Sequence, residues 1–180
     1  MAKIILYIAC SIDGFIAKPD DNLDWLNSVP NPGNIDHGYS DLLKGISCII
    51  MGRRTYSEVL GFGIDWPYSD KTTYVVTGND SFKIETPGTF RLIGNIVESV
   101  EKIKLETDKD IWLAGGGQLV TYFLNNKLID KMIISIIPVI LGQGIPLFPG
   151  KPEESSWKLT GSVAYSTGIA SLSYERNDQA

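Results

Sequence analysis

Short apolar runs and amphipathic stretches alternate along this chain at close spacing. Residues 4–12 are nearly all apolar and rich in β-formers, which predicts a strand buried on both faces. Asp13-Gly14 signals a turn, and Phe15-Ile16-Ala17 resumes strand character before a polar loop over residues 18–24. Residues 34–43 have helical potential, with Asp36 in the first turn and Gly45 as the stop. A second buried strand at 47–51 runs into Gly52-Arg53-Arg54-Thr55, followed by helix over 56–60. A third, β-branched strand covers 72–77 and ends at Gly78-Asn79-Asp80; Leu92 and Ile93 suggest a short one. Residues 96–106 place Val97, Val100 and Ile103 on one face of an amphipathic helix. Another buried strand at 111–114 leads into Gly115-Gly116-Gly117 and a helix over 118–125. A long apolar strand follows at 131–140, and residues 157–176 supply one or two more.

This alternation predicts an α/β fold with a mostly parallel central sheet covered on both faces. At the end, strand follows strand with no helix between, which predicts an antiparallel C-terminal edge. No repeat or linker divides the chain, so residues 1–180 are expected to form one domain.

Composition changes the picture only by exclusion. Hydrophobic content of 43% and charged content of 21% are those of an ordinary globular protein. A net charge of −5 disfavours wholesale binding to nucleic acid but leaves room for a local basic pocket. Cys10 and Cys48 lie inside apolar runs and read as reduced core thiols, with a disulfide or a reactive thiol as the alternatives. No leader pattern opens the chain, and no apolar run approaches the roughly 18 residues that would span a bilayer. A cytoplasmic protein with no membrane partner is expected.

Two strand-to-helix junctions carry the chemical signal. In Met51-Gly52-Arg53-Arg54-Thr55-Tyr56, glycine lets the backbone come close to a ligand, and a helix begins with unpaired N–H groups that favour anions. Two arginines and a threonine add donors suited to phosphate; the alternative is an ordinary helix start with solvated arginines. In Ala114-Gly115-Gly116-Gly117-Gln118-Leu119, no side chain blocks a diphosphate, although a tight structural turn would use the same residues. This is not the G-x-G-x-x-G fingerprint, and no acidic ribose ligand follows at its usual distance. Two phosphate-friendly junctions in one small α/β domain together imply a dinucleotide.

The order of Ile8-Ala9-Cys10-Ser11-Ile12-Asp13-Gly14-Phe15-Ile16-Ala17, Met51-Gly52-Arg53-Arg54-Thr55-Tyr56, Tyr74-Val75-Val76-Thr77 and Ala114-Gly115-Gly116-Gly117 resembles the dihydrofolate-reductase superfamily over nearly the whole chain. The stretch Ser11 to Ala17, and Pro138-Val139-Ile140-Leu141-Gly142-Gln143-Gly144-Ile145-Pro146-Leu147-Phe148, are similar to the reductase domain of the bifunctional riboflavin-biosynthesis deaminase-reductase and its stand-alone relatives. The resemblance implies a three-layer dihydrofolate-reductase-like fold and NADPH as cofactor. Gly52, Arg53, Arg54 and Thr55 would then hold phosphates, with one arginine selecting the 2′-phosphate. Thr77 and Gly78 would lie near the adenosine, and Gly115, Gly116 and Gly117 with Gln118 and Leu119 would cradle the pyrophosphate. Ala9 and Ile16 would face the nicotinamide under the loop at 18–25. A cis Gly116–Gly117 peptide and a homodimer are further implications.

Hydride transfer needs a polarised C=N or C=O and a source of protons. Asp36 is the first candidate for a catalytic and substrate-binding carboxylate, against a solvated helix-start acid; Asp24 and Asp41 compete with it. His37, the single histidine, reads as a surface residue whose neighbourhood keeps it in view, and Trp25 as either a substrate wall or core. Before the third strand, Trp66-Pro67-Tyr68-Ser69-Asp70-Lys71 lacks the arginine with which folate reductases bind the glutamate tail. No cysteine–histidine zinc pattern occurs, so neither a deaminase half nor a metal is expected. The expected partner is therefore a small heterocyclic substrate. First comes 5-amino-6-(5-phosphoribosylamino)uracil, with dihydrofolate or another pterin second and a non-catalytic NADP(H)-binding protein as the reading of another class.

Overall fold

The computed structural model describes residues 1–177, which form ten strands and four α-helices. Eight strands make one sheet in the order β5-β4-β3-β6-β1-β7-β10-β9: β1 (Ile4–Ser11), β3 (Ile46–Gly52), β4 (Thr72–Val76), β5 (Thr89–Leu92), β6 (Asp110–Gly115), β7 (Lys131–Ile137), β9 (Trp157–Ala164) and β10 (Ala170–Arg176). The six strands from β5 to β7 are parallel, and β10 runs antiparallel to both β7 and β9. The expected antiparallel C-terminal edge is therefore present.

Three layers follow from burial on both faces. On one face, Ile4, Leu6, Cys48, Ile50, Ile111 and Leu113 pack under α3 (Ile96–Glu106) and α4 (Gly117–Asn125). On the other, Ile49, Met51, Val75 and Trp112 meet α1 (Tyr39–Gly45) and α2 (Arg53–Gly61). Central strands thus carry continuous apolar runs, because each face of the sheet has its own helix pair to cover. Cys10 and Cys48 are buried free thiols, and burial pushes the Cys48 thiol up to about 12. Among the described residues, no helix is long and apolar enough to cross a membrane.

Several boundaries moved for local reasons. Helix α1 starts at Tyr39 rather than residue 34, because Asn34, His37 and Gly38 all adopt positive φ and Asn31 bonds both ways with Ile35. Pro138 stops β7, since it has no N–H to continue the ladder. The Phe15–Ala17 segment is a separate strand, β2, paired with β8 (Ile145–Pro146) outside the main sheet. Asp13 holds that outlying pair in place: its carboxylate accepts from the Ser11 hydroxyl at 2.6 Å and from the Leu141 and Gly142 N–H groups at 3.1 and 2.7 Å. These bonds keep the Asp13 carboxyl below its ordinary value.

Gly144 fits only because it has no side chain: a Cβ there would lie 2.3 Å from the Ala17 carbonyl oxygen. Gly144→Ala should therefore lower stability by about 1–3 kcal/mol through overpacking. Urea unfolding checks this as a lower midpoint at an unchanged slope; an unchanged midpoint would show that the β2–β8 pair yields freely.

Candidate active site

All parallel strands end on the same side of the sheet, where two strand-to-helix turns lie side by side. Strand β3 feeds α2 through Gly52, and β6 feeds α4 through Gly115 and Gly116. The Gly116 N–H donates to the Thr55 hydroxyl oxygen at 2.9 Å, so one turn is fastened to the other across 61 residues of sequence. Thr55 keeps its own O–H free to donate outward. The first helical bond of α4 runs from the Val120 N–H to the Gly116 carbonyl. The N–H groups of Gly117, Gln118 and Leu119 thus have no partner within the helix.

The glycines of the second turn have different reasons. Gly115 has φ +106° and would press a Cβ to 3.1 Å from Ile8. A Cβ on Gly117 would sit 2.5 Å from the Pro146 carbonyl oxygen and 2.8 Å from Pro149. Close packing by the chain itself, as well as access for a ligand, excludes a side chain there. Among the described residues every peptide bond is trans, the Gly116–Gly117 bond included, which corrects the cis geometry expected from the resemblance.

A cleft of about 760 Å³ opens over both turns. Of the residues expected to hold a cofactor, Ala9, Ile16, Gly52, Arg53, Arg54, Thr55, Thr77, Gly78, Gly116, Gly117, Gln118 and Leu119 all line it. Gly115 does not: it is buried, and its part is to turn the chain. Arg53 lies over the Phe82 ring at 5.8 Å, and among the described residues it has no carboxylate partner. Arg54 is ion-paired with Asp21, which reaches over from the loop at 18–24. That loop therefore leans across the cleft mouth, with Asp21 at φ +66°.

A second cavity of about 560 Å³ adjoins the first and shares Tyr7, Ala9 and Leu26 with it. Asp36 and His37 line this cavity, together with Asn27, Asn31, Tyr39, Ser135 and Thr167. His37 Nε2 sits 3.0 Å from the Thr167 hydroxyl, and its ring meets Tyr165 edge-on at 4.8 Å. The Tyr7 hydroxyl donates to the His37 carbonyl at 3.3 Å, and burial pushes the phenol up to about 12.

Three further candidate residues have the following surroundings. The Asp36 carboxylate accepts from the Gly38 and Ser40 N–H groups at 3.1 and 3.0 Å, capping α1. Hydrogen bonding from the Ser40 side chain, then from these N–H groups, holds its carboxyl down at about 2. At neutral pH it is therefore an ionised acceptor on the wall of the second cavity. Asp24 reaches neither cavity; its N–H and carboxylate both bond Asn22 and close an exposed loop turn. Trp25 is buried against Ile137 and Ile169, behind the cavity wall rather than on it.

Sequence reading missed Tyr7, Asn27, Asn31, Ser135 and Thr167. Tyr7 had a signal, since it stands two residues before Ala9 on one strand and so shares its face. The others reach the cavity from a loop, from β7 and from the β9–β10 turn, which only the folded chain brings together.

Residues 2–171 match the RibD C-terminal domain family. The chain is 41% identical to the uncharacterized protein YwjB of Bacillus subtilis over 168 residues, which covers 93% of this chain and 94% of that one. A crystal structure from Shewanella sp. PV-4, whose name refers it to riboflavin biosynthesis, is 34% identical with a TM-score of 0.87, covering 98% of this chain and 99% of that one. Dihydrofolate reductase from Enterococcus faecalis, solved with NADP(H), shares the fold at 19% identity and a TM-score of 0.68, covering 98% and 97% of the two chains.

The Asp36 cap gives a pH test. Its folded value of about 2 lies below the roughly 3.9 of a free aspartate, so its stabilisation is present above pH 4 and is lost as pH falls through 2. Asp36→Ala should lower Tm by a few degrees at pH 7, and the gap to the parent should close between about pH 4 and pH 2. A pH-independent gap in thermal melts would mean that the carboxylate's charge contributes nothing.

With a dihydrofolate-reductase-like three-layer sheet and a sequence match over nearly its whole length, this chain belongs to the RibD C-terminal domain family, a family of reductases.

Proposed function

We propose that this protein is an NADPH-dependent reductase that passes hydride to a C=N or C=O group of a pyrimidine- or pteridine-like molecule. One observation carries the reading: a cleft built for a diphosphate and a separate polar cavity meet at Tyr7, Ala9 and Leu26. The residues of the cleft fit a dinucleotide. Unpartnered N–H groups at the start of α4, the Thr55 hydroxyl and two arginines supply donors, while Gly116 leaves the backbone bare. Bound there, NADPH would supply the hydride.

The chain's own residues do the rest. Ala9, on the rim shared with the second cavity, and Ile16, on the cleft wall, present small or apolar side chains to the nicotinamide. Asp36, an ionised acceptor, and Tyr7, a neutral hydroxyl, orient the N–H and C=O groups of a ring. The proton that accompanies the hydride is delivered in the second cavity, whose lining includes the Tyr7 hydroxyl. Thr77 and Gly78, at the end of β4, receive the adenosine side. Arg53, with no carboxylate partner, contacts the 2′-phosphate, and Arg54 joins after exchanging Asp21 for phosphate.

The proposal extends to a cytoplasmic homodimer. Its pairing surface is the outer edge strand β9, where Leu159 and Val163 are about half exposed. Light scattering would then return twice the chain mass of 19.8 kDa.

Fluorescence titration with NADPH and NADH tests the cofactor assignment. NADPH should bind in the micromolar range and NADH more weakly. Arg53→Ala should weaken NADPH roughly 10- to 100-fold, the loss of one charge-assisted contact, and should erase the preference between the two. Arg54→Ala should cost less, since its charge already faces Asp21. If neither nucleotide binds, the reductase reading fails.

A further inference from the structure

We infer that Phe82, which lines neither cavity, strengthens the preference for NADPH over NADH by holding Arg53 ready for the 2′-phosphate. This rests on the reductase reading of the cleft and deepens it. Phe82 is a positioning residue that acts through Arg53.

The two arginines at the start of α2 are neighbours in sequence but are held in different ways. Arg54 is ion-paired with Asp21, and Glu58, one turn further along α2 and also on the cleft lining, adds a second negative charge near it. Arg53 has no carboxylate partner among the described residues, and its guanidinium lies over the Phe82 ring, 5.8 Å from the centroid. A carboxylate takes up a guanidinium's N–H donors and offsets its charge. An aromatic face attracts the same cation through its quadrupole and leaves the edge donors free. Arg53 thus keeps its charge and its fork of donors, although it is otherwise exposed. A side chain already confined loses less rotamer freedom when a phosphate arrives, which is a gain in affinity without a new contact.

Phe82 can hold an arginine because it is itself held. Its ring meets the fully buried Tyr56 edge-on at 5.9 Å. The Tyr56 hydroxyl accepts from the Glu85 N–H at 3.1 Å and bonds the Thr86 hydroxyl at 3.1 Å. Tyr56 follows Arg53 by three residues on α2, so one ring touches two adjacent side chains of that helix. The chain leading to Phe82 is folded by local bonds. The Asn79 N–H donates to the Thr77 hydroxyl at 3.0 Å, the Ser81 N–H to Asn79 Oδ1 at 2.9 Å, and the Phe82 N–H to the Asn79 carbonyl at 3.1 Å. From β5, the Arg91 guanidinium donates to the Asp80 carbonyl. Thr77 and Gly78, at the head of this turn, line the cleft at the place assigned to the adenosine. One short segment therefore borders the adenosine and, five residues on, carries the ring under Arg53. The 2′-phosphate hangs from the adenosine ribose, so the same turn sets both the group to be selected and its selector.

Fluorescence titration of the full chain with NADPH and NADH tests this. Phe82→Leu keeps apolar bulk against Tyr56 but removes the aromatic face. It should weaken NADPH roughly two- to fivefold, the worth of one exposed cation–π contact, and leave NADH unchanged. Phe82→Met should repeat that loss, so the result does not hang on one variant folding. Phe82→Tyr restores the face and should keep the parent's preference. In an Arg53→Ala background, Phe82→Leu should cost NADPH nothing further. A role in packing alone would weaken both nucleotides alike. That outcome overturns the inference, as does an unchanged ratio in Phe82→Leu and Phe82→Met, a lost preference in Phe82→Tyr, or a further loss added to Arg53→Ala. A parent that binds both nucleotides equally overturns it too. A parent that binds neither removes the reductase reading itself, whereas an NADPH preference that survives loss of the ring removes only the role of Phe82.

Discussion

The close approach of two parallel strand ends is the constraint on which the rest of this structure depends. Strands β3 and β6 are neighbours in the sheet, and each turns at once into a helix. Their turns can lie together only if neither carries bulk at the contact. The Gly116 N–H to Thr55 bond closes that contact, and Gly115 turns the chain through a φ that only glycine adopts freely. Pro146 and Pro149 then close over Gly117 from the segment that pairs with β2. A single arrangement thus presents the unpartnered N–H groups, aligns two helix starts and places the β2–β8 pair beside them. Residues that look like a phosphate motif are at the same time a packing requirement, and the two demands select the same amino acid.

Charge is divided across the site with equal consequence. Over α2 and α4, the arginines and open helix starts make a region where anions are welcome. At the second cavity, by contrast, the N–H groups at the start of α1 are taken up by the Asp36 carboxylate. The two regions share Tyr7 and Ala9 on their linings. Asp21 on Arg54 adds a further element. That ion pair ties the loop at 18–24 to the start of α2 at the cleft mouth. Arg54 is largely at the surface while Asp21 is partly covered, and such a pair near solvent contributes little to stability.

Much of the fold was legible because burial on both faces leaves a plain mark. The apolar run at 4–12, the strand at 47–51 and the helix at 96–106 all correspond to observed elements, the last with identical bounds. Legibility failed where the determinants were not periodic. Helix α1 is preceded by left-handed residues at Asn34, His37 and Gly38 that a propensity reading takes for helix. The two-residue strand β8 is too short to carry any period, and the short helical turn at Asp24–Ser28 begins where the expected loop ends, in a stretch with no assigned element. The cleft was readable for a related reason: its residues sit at glycine-marked junctions, where sequence position alone fixes their place. Side chains of the second cavity come from four separate segments, and their convergence depends on how the sheet is ordered rather than on any local pattern.

Asp36 shows how a residue's place and its chemistry are fixed by different things. Its place beside the cavity follows from its position before the helix, but its chemistry follows from what it touches. A carboxylate meant to donate a proton near neutral pH needs an apolar setting that raises its value. This one sits among N–H donors that lower it to about 2, so it works as a fixed negative charge. Tyr7 is shifted the other way, up to about 12, and remains a neutral hydroxyl over the whole working range. The two groups best placed to touch a bound ring therefore both keep one protonation state. Each thus presents one fixed hydrogen-bonding character to the second cavity, Asp36 as an acceptor and Tyr7 as a hydroxyl.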